Sequence, residues 1–377
     1  MTRILYLADG ASVHTRKWIR ALAQAGYCIH LFSLNRFDPE DYGLPEDRFS
    51  YSVHSRTKNK TIWGGINKLH YLVVLKELNN KIREFKPDIL HAHFASSYGT
   101  LAARTGFHPC VISVWGYDVF VFPRRSCLHR EILKKNFSAA DRVLSTSRVM
   151  AEETQRYTLK QVEVTPFGVD VTRFYSRKGK AESKFMFPDG KNFIIGTAKP
   201  LEEKYAVDDL IRSFAILHQR FPGEHLCLVI AGKGSAEASL KDLARKLGVW
   251  EKVEFSGQLK HEDMPEFYNA IDVFAALSLE ESFGVAVIEA AACEKAVVVS
   301  DAGGLPEVVQ TNVTGYVVPR RNPEAAADAF ERLLRDASLR TAMGKAGREY
   351  VIQHYEWSQC VRRMADIYQT ILSEKSK

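Results

Sequence analysis

Short apolar runs alternate with helix-patterned stretches along the whole chain, and this alternation restricts the fold more than any other feature. In the first half the strand-like runs are Ile4–Ala8, Tyr27–Leu34, Asp88–His91, Val111–Trp115 and Arg142–Ser145. Between the first two, Trp18, Ala21, Leu22 and Ala25 recur at helical spacing, and Gly26 stands where a C-cap glycine belongs. Strands separated by helices pair in parallel, because each return to the same edge needs a right-handed crossover. The pattern breaks over residues 172–190, where Arg177, Lys178, Lys180 and Lys184 precede Pro188-Asp189-Gly190 with little periodicity. That is linker chemistry. Alternation resumes with Phe193–Thr197, Leu226–Ala231, Val253–Ser256, Val273–Ala276 and Val297–Ser300.

A chain of 377 residues exceeds one ordinary core. The expected architecture is therefore α/β, with two tandem Rossmann-like, doubly wound domains at 1–175 and 176–356. The last helical segment, Trp357–Leu372 within about 357–377, is expected to pack back onto the first domain. Tandem domains of this kind would leave a ligand cleft at the carboxyl ends of their strands.

Composition narrows the class. Apolar residues make up 46% and charged residues 26%, the mix of a globular chain and not of a disordered or fibrous one. The start, Met1 to Asp9, is too quickly interrupted by charge for a signal peptide, and no apolar run approaches about 18 residues. A cytoplasmic protein is expected. The six cysteines form no Cys-x-x-Cys pair and the twelve histidines no His-x-x-x-His pair, so reduced core cysteines and no metal site are expected. Residues 1–180 hold 28 Lys and Arg against 16 Asp and Glu, whereas residues 181–377 hold 24 against 29. Such a split suits two domains that meet different partners.

The most informative stretch runs from Glu281 through Ser282, Phe283, Gly284 and Val285 to Glu289, after the strand Val273–Ala276. Gly284 permits a tight turn, and Val285–Cys293 has a helical pattern that starts there. Unpaired N–H groups at a helix N-terminus suit a phosphate. Glu281 precedes the helix and can reach sugar hydroxyls. Glu289 lies about a turn and a half inside it and can accept from ribose hydroxyls. Its apolar neighbours, Val287, Ile288 and Ala290 to Ala292, argue against an incidental surface glutamate. Lys199 and Lys204 project from one strand-to-helix loop, where two ammonium groups would neutralise a departing diphosphate. Gly232 and Gly234 follow another strand and can approach a nucleotide.

The ordered set Thr197-Ala-Lys199-Pro-Leu-Glu-Glu-Lys204, Ile230-Ala-Gly-Lys-Gly234, Val253-Glu-Phe-Ser-Gly257, Ser278 to Glu289, and Gly303-Gly-Leu-Pro-Glu307 resembles the retaining glycosyltransferases of family 4, which have the GT-B fold. Asp88-Ile-Leu-His-Ala-His93 and Pro166-Phe-Gly-Val-Asp170 extend the resemblance into the first half. It implies that Lys199 and Lys204 grip the diphosphate, Glu281 the donor sugar and Glu289 the ribose, with Ser282, Phe283, Gly284 and Val285 at the sugar and phosphates. It further implies a retaining, metal-independent hexosyl transfer by same-face attack, in which the leaving phosphate helps deprotonate the acceptor. No Asp-x-Asp motif is present. A UDP-sugar donor is expected from family frequency. The expected acceptor is a glycan or lipid-linked intermediate of cell-surface polysaccharide or glycolipid synthesis. No cofactor and no nucleic acid is expected. A non-catalytic nucleotide-binding protein of the same fold is the alternative, and a glycoside hydrolase using Glu281 and Glu289 a more distant one.

The chain departs from the family at several points. Lysine stands at 199 where arginine is common, and Tyr205 replaces a frequent glycine. The first strand-to-helix loop is Gly10-Ala-Ser12-Val-His14, without the usual glycine pair, and Trp115 stands where many relatives carry histidine. Ser12, His14 and Trp115 are expected on the acceptor side, with Asp118 or His93 taking over the histidine's task. Residues 120–137 mix Arg124, Arg125, Arg130, Lys134 and Lys135 with bulky apolar residues at near-helical spacing. Such a patch is expected to touch an anionic inner leaflet, making the protein peripheral there.

Overall fold

The computed structural model describes residues 1–54, 68–177 and 193–375, so Lys178, Lys180, Lys184 and Pro188-Asp189-Gly190 of the expected linker lie outside the described residues. The chain divides into two compact units, residues 1–165 with 361–377, and residues 166–360.

The first unit is built on a seven-stranded sheet of β1 (Arg3–Leu7), β2 (Cys28–Ser33), β3 (Phe49–Val53), β4 (Ile89–His93), β5 (Cys110–Val114), β6 (Arg142–Ser145) and β7 (Val162–Val164). All pairs are parallel, in the order β3-β2-β1-β4-β5-β6-β7. Two edge strands carried little signal in the sequence. β3 alternates Phe-Ser-Tyr-Ser-Val with only Phe49 buried, and β7 has three half-buried residues. The central strands are buried on both faces and read as continuous apolar runs. Leu5, Leu7, Leu90, Ile112 and Val114 pack with Leu78, Leu101, Leu133 and Phe137 from the covering helices. Each such side chain contributes about 1.5–3 kcal/mol when fully buried.

From Val361 onward the helix Trp357–Lys375 belongs to this unit, anchored by a buried polar chain. The hydroxyls of Tyr368 and Tyr6 are 2.9 Å apart, Tyr368 lies 2.6 Å from His91 Nδ1, and His91 Nε2 lies 2.7 Å from Ser113 Oγ. Burial pushes the His91 imidazole down to about 3, so it is neutral near pH 7.

The second unit carries six parallel strands, β8 (Phe193–Ala198), β9 (Leu226–Ala231), β10 (Val253–Gly257), β11 (Val273–Ala276), β12 (Ala296–Ser300) and β13 (Gly315–Val318). Their order is β10-β9-β8-β11-β12-β13. Ile195, Leu228, Ile230, Ala275 and Val298 meet Phe214, Leu217, Phe330 and Leu333 in the core. Residues 166–175, expected with the first domain, lie here instead. Val169 N–H donates to the Tyr355 carbonyl at 2.8 Å, Trp357 N–H donates to the Val169 carbonyl at 3.0 Å, and Arg348 donates to the Phe174 carbonyl at 3.0 Å.

Both sheets have a doubly wound order. Strand order reverses beside β1 and β4 in the first and beside β8 and β11 in the second, the positions where such sheets bind ligands. All six cysteines are free thiols. Cys110, Cys227, Cys293 and Cys360 are buried and Cys28 is half-buried, but Cys127 is exposed, contrary to its expected place in the core. Among the described residues no helix is long and apolar enough to cross a membrane.

Candidate active site

Sheet register decides which loops of the second unit meet. β8 and β11 are hydrogen-bonded neighbours, with Ile195 opposite Val273 and Gly196 opposite Phe274. The residues that follow them, Lys199 and Ser278 to Glu281, therefore leave the sheet side by side. Lys199 Nζ ion-pairs with Glu281 Oε2, the two side chains being 9% and 16% exposed. The Lys204 carbonyl accepts from Leu279 N–H at 2.8 Å and Glu280 N–H at 3.3 Å, which ties the lysine loop to the glutamate loop. Both lysines approach Tyr205, whose ring centroid lies 5.5 Å from Lys199 Nζ and 5.1 Å from Lys204 Nζ.

The glycines of the motifs make these backbone approaches possible. At Gly232 (φ +157°) a Cβ would lie 1.9 Å from the Lys199 carbonyl oxygen, and at Gly303 (φ +48°) 1.9 Å from that of Glu281. Gly234 is likewise pressed against the Leu201 backbone. Gly232 and Gly234, expected to admit a nucleotide, thus have a prior duty in this chain: they let the β9 loop pair with Lys199 and Leu201, through Lys199 N–H to the Ala231 carbonyl and Leu201 N–H to the Lys233 carbonyl, both at 3.0 Å.

Gly284, at φ +110°, opens the helix Val285–Ala292, which buries Val287, Ile288, Ala290, Ala291 and Ala292. Glu289 on that helix is 7% exposed. Its Oε2 accepts from the Tyr268 hydroxyl at 2.9 Å, and its Oε1 lies 3.2 Å from His261 Nε2. Burial and then the Glu289 charge push the Tyr268 phenol well above its ordinary range, so it remains a donor. The Phe283 ring is buried against Tyr355 and Phe167, while Ser282 and Val285 are half-buried beside it.

In the first unit the same switch position gathers aromatic rings. His93, expected beyond the strand, is the last residue of β4 and 1% exposed. Its ring lies 4.3 Å from that of Trp115 and 4.9 Å from that of Tyr6, and its buried Nδ1 has no hydrogen-bond partner. Burial first, then His91 and His14, hold this imidazole neutral, well below its ordinary range. Asp118 is fully buried, and both its oxygens are occupied. Oδ2 accepts from Ala95 N–H at 2.8 Å, and Oδ1 from Gly116 N–H at 2.9 Å and Trp115 N–H at 3.2 Å. Burial raises its pKa against the pull of those donors. Asp118 thus anchors the turn that presents Trp115, a different task from the one expected of it. Ser12 caps the helix Val13–Gln24 by accepting from Thr15 N–H, and His14 meets the Trp115 ring edge-on at 6.0 Å. Phe94, at φ +66°, starts a π-turn over Phe94–Tyr98 and lies 5.2 Å from Trp115. Strain of this kind concentrates at ligand sites.

The basic segment is not one helix. A turn at Tyr117–Phe120 and a 3-10 turn at Phe122–Arg124 precede the helix Cys127–Ala139. Arg124, Arg125, Arg130, Lys134 and Lys135 are all exposed, with Leu128 68% exposed among them. Lys134 pairs with Glu131 at 2.9 Å, and Arg125 donates to the Tyr117 hydroxyl. Among the described residues no group of three or more His, Cys, Asp or Glu side chains could hold a metal ion. Sequence reasoning missed Tyr268 and His261 as partners of Glu289, since their spacing from it carries no motif. Tyr205 was visible only as a departure from glycine.

Comparison with known proteins identifies the family of both halves. The family model for glycosyl transferases group 1 covers residues 180–350, and that for glycosyl transferase 4-like proteins covers residues 3–147. A GDP-mannose-dependent alpha-(1-6)-phosphatidylinositol monomannoside mannosyltransferase of Mycolicibacterium smegmatis is 30% identical over 281 residues, 71% of this chain and 72% of that protein. A D-inositol 3-phosphate glycosyltransferase of Salinispora tropica is 30% identical over 252 residues, 62% of this chain. The match spans only 52% of that relative's length, so the chain spans about half of it. Sucrose-phosphate synthase from Thermosynechococcus elongatus superposes with a TM-score of 0.80 over 99% of this chain and all of that one, at 20% identity, a likeness of fold. The chain therefore has the two-domain GT-B fold and belongs to the group 1 glycosyl transferases, of the family 4 type.

Proposed function

We propose that this chain transfers a hexosyl group from a nucleoside-diphosphate sugar to a hydroxyl acceptor, with retention and without a metal. The observation that carries the proposal is the junction of Lys199, Lys204 and Glu281 at the β8–β11 switch position, beside the N-terminus of the helix that bears Glu289. Two cations and a helix N-terminus suit the diphosphate, and a carboxylate beside them suits sugar hydroxyls. In the reaction the acceptor oxygen bonds to the anomeric carbon as the bond to the phosphate oxygen breaks. That phosphate oxygen takes the acceptor's proton. A hydrolase would need two carboxylates free to act across a glycosidic bond. Here Glu281 is paired with Lys199 and Glu289 is held by Tyr268 and His261, which favours transfer.

A UDP-sugar is the donor expected from the family, while the mannosyltransferase of M. smegmatis is described as GDP-mannose-dependent. The acceptor of this reading is a glycan or lipid-linked intermediate, and the exposed residues Arg124, Arg125, Arg130, Lys134 and Lys135 would bring the protein to an anionic membrane surface. Incubation with UDP-, GDP- and ADP-sugars, with and without chelator, tests the donor and the metal together. Transfer or slow donor hydrolysis that survives chelation is expected, with an unchanged anomeric configuration by NMR. Nucleotide binding without turnover would favour the non-catalytic alternative. Sedimentation with anionic vesicles, compared with a charge-reversed patch, tests the membrane contact; equal partitioning at low salt rejects it.

A further inference from the structure

Lys199 and Lys204 share one aromatic ring. Both ammonium groups lie within the roughly 6 Å over which a ring face attracts a cation, at 5.5 and 5.1 Å from the Tyr205 centroid. The ring's position does not depend on the lysines. Tyr205 ends the short turn Glu203–Tyr205, and Ala206 after it is buried and left-handed at φ +45°. The ring packs against the hydrophobic core of the second unit. Glu202, on the other side of the turn, accepts from Ser235 N–H at 3.1 Å and Ser235 Oγ at 2.7 Å, fixing the turn to the β9 loop. The result is a ring fixed on the core beside two cations, Lys199, which also pairs with Glu281, and exposed Lys204, which would otherwise sample many rotamers.

We infer that Tyr205 is a positioning residue of the donor site, whose ring face holds the Lys199 and Lys204 ammonium groups together as a preformed receptor for a diphosphate. The inference rests on the donor-site assignment above and deepens it. The ring acts and the hydroxyl does not: burial, then Glu281 and Glu202, push the phenol up, so it carries no charge to offer the lysines. Preorganisation raises affinity by removing an ordering cost at the moment of binding. Glycine is frequent at this position in the family that the chain resembles, and a glycine would offer no ring.

Calorimetric titration of the full chain with UDP and with GDP tests it, using wild type, Tyr205→Leu, Tyr205→Phe, Lys199→Ala and Lys204→Ala. Leucine keeps the core contact and removes the aromatic face, whereas phenylalanine keeps both. Tyr205→Leu should weaken the nucleotide that wild type binds by about five- to tenfold, from about two cation–π contacts of modest strength. Tyr205→Phe should restore affinity to within about twofold of wild type, a rescue that a role for the hydroxyl would not give. UMP or GMP, lacking the second phosphate, should show a smaller loss in Tyr205→Leu. Wild-type affinity in Tyr205→Leu, an equal loss in Tyr205→Phe, or an equal loss for the monophosphate overturns the inference alone, provided the lysine variants bind weakly. Lysine variants that bind like wild type, or a wild type that binds neither nucleotide, overturn the donor-site assignment and the inference with it.

Discussion

Replacing Glu281 by glutamine separates two effects that the Lys199–Glu281 pair combines. The pair is 9% and 16% exposed, so removing the negative partner leaves the Lys199 ammonium largely buried and uncompensated. Breaking a buried pair costs about 3–5 kcal/mol; the residual exposure of Glu281 and the acceptor oxygen of glutamine reduce this to about 2–3 kcal/mol. For a unit the size of residues 166–360, each kcal/mol shifts the melting temperature by about 2–4 °C, so a fall of roughly 5–10 °C is expected. Nucleotide binding should move in the opposite direction. Glu281 competes with a diphosphate for Lys199, and its loss should tighten UDP or GDP binding by about three- to tenfold, as expected for about 1 kcal/mol of relieved competition. Sugar transfer should collapse, since the carboxylate assigned to the sugar is gone. Differential scanning calorimetry with and without each nucleotide, alongside titration, reads all three quantities. A melting temperature within 1 °C of wild type, by a calorimeter easily resolving the roughly 5 °C expected, would refute the buried-pair reasoning. A double variant, Lys199→Met with Glu281→Leu, should recover most of the lost stability while losing nucleotide affinity.

The remaining predictions concern the elements that hold the sites in place. Tyr368→Phe removes one hydroxyl and leaves two buried partners, Tyr6 and His91, with one fewer hydrogen bond each; urea denaturation should show the first unit weakened by about 2–4 kcal/mol, and a change under about 0.5 kcal/mol would reject the anchoring role. His91 is held neutral down to about 3, below the 6.5 of an unfolded histidine, so the unfolded chain takes up its proton first on acidification. Its contribution to stability should be full above pH about 6.5 and diminish as pH falls from there towards about 3; denaturation midpoints in wild type and His91→Gln should converge over that window, and parallel pH curves would contradict the assignment. Gly303→Ala forces a Cβ to within 1.9 Å of the Glu281 carbonyl oxygen at a left-handed φ of +48°; it should cost more than about 2 kcal/mol and weaken nucleotide binding, and an alanine variant with wild-type melting and binding would show that the two loops do not depend on that approach.

The double α/β alternation was legible because parallel strands buried on both faces must be apolar along their length. The central strands were therefore found to within a residue or two, the largest offset being at β4, which extends two residues further, through His93. Edge strands lack that requirement. β3 has one buried residue and β7 none, and neither rose above the surrounding sequence. Glu289 was legible for a related reason: a carboxylate in the apolar helix Val285–Ala292 has no solvent-facing explanation. The first-half site was less legible, because strand length by one or two residues decides whether His93 faces solvent or the core, and element boundaries are weakly encoded.

The sequence by itself determined the parallel sheets and the break between two halves, which follow from periodicity, and the candidate status of Glu289, a charge in an apolar helix. Glu281 followed from its place before that glycine-started helix, and Lys199 and Lys204 from their shared loop and the resemblance to the family. Only the tertiary structure decided which of these groups meet. Parallel strands adjacent in the sheet, β8 and β11, are distant in the chain, so the Lys199–Glu281 pair depends on strand order, which no local pattern carries. The same holds for the Tyr6–Tyr368–His91 chain, for the commitment of Asp118 to backbone donors, and for the ring of Tyr205 shared by two lysines. Hydrogen bonds and ring contacts act over a few ångströms, and the crossovers of the doubly wound sheets set which residues come that close.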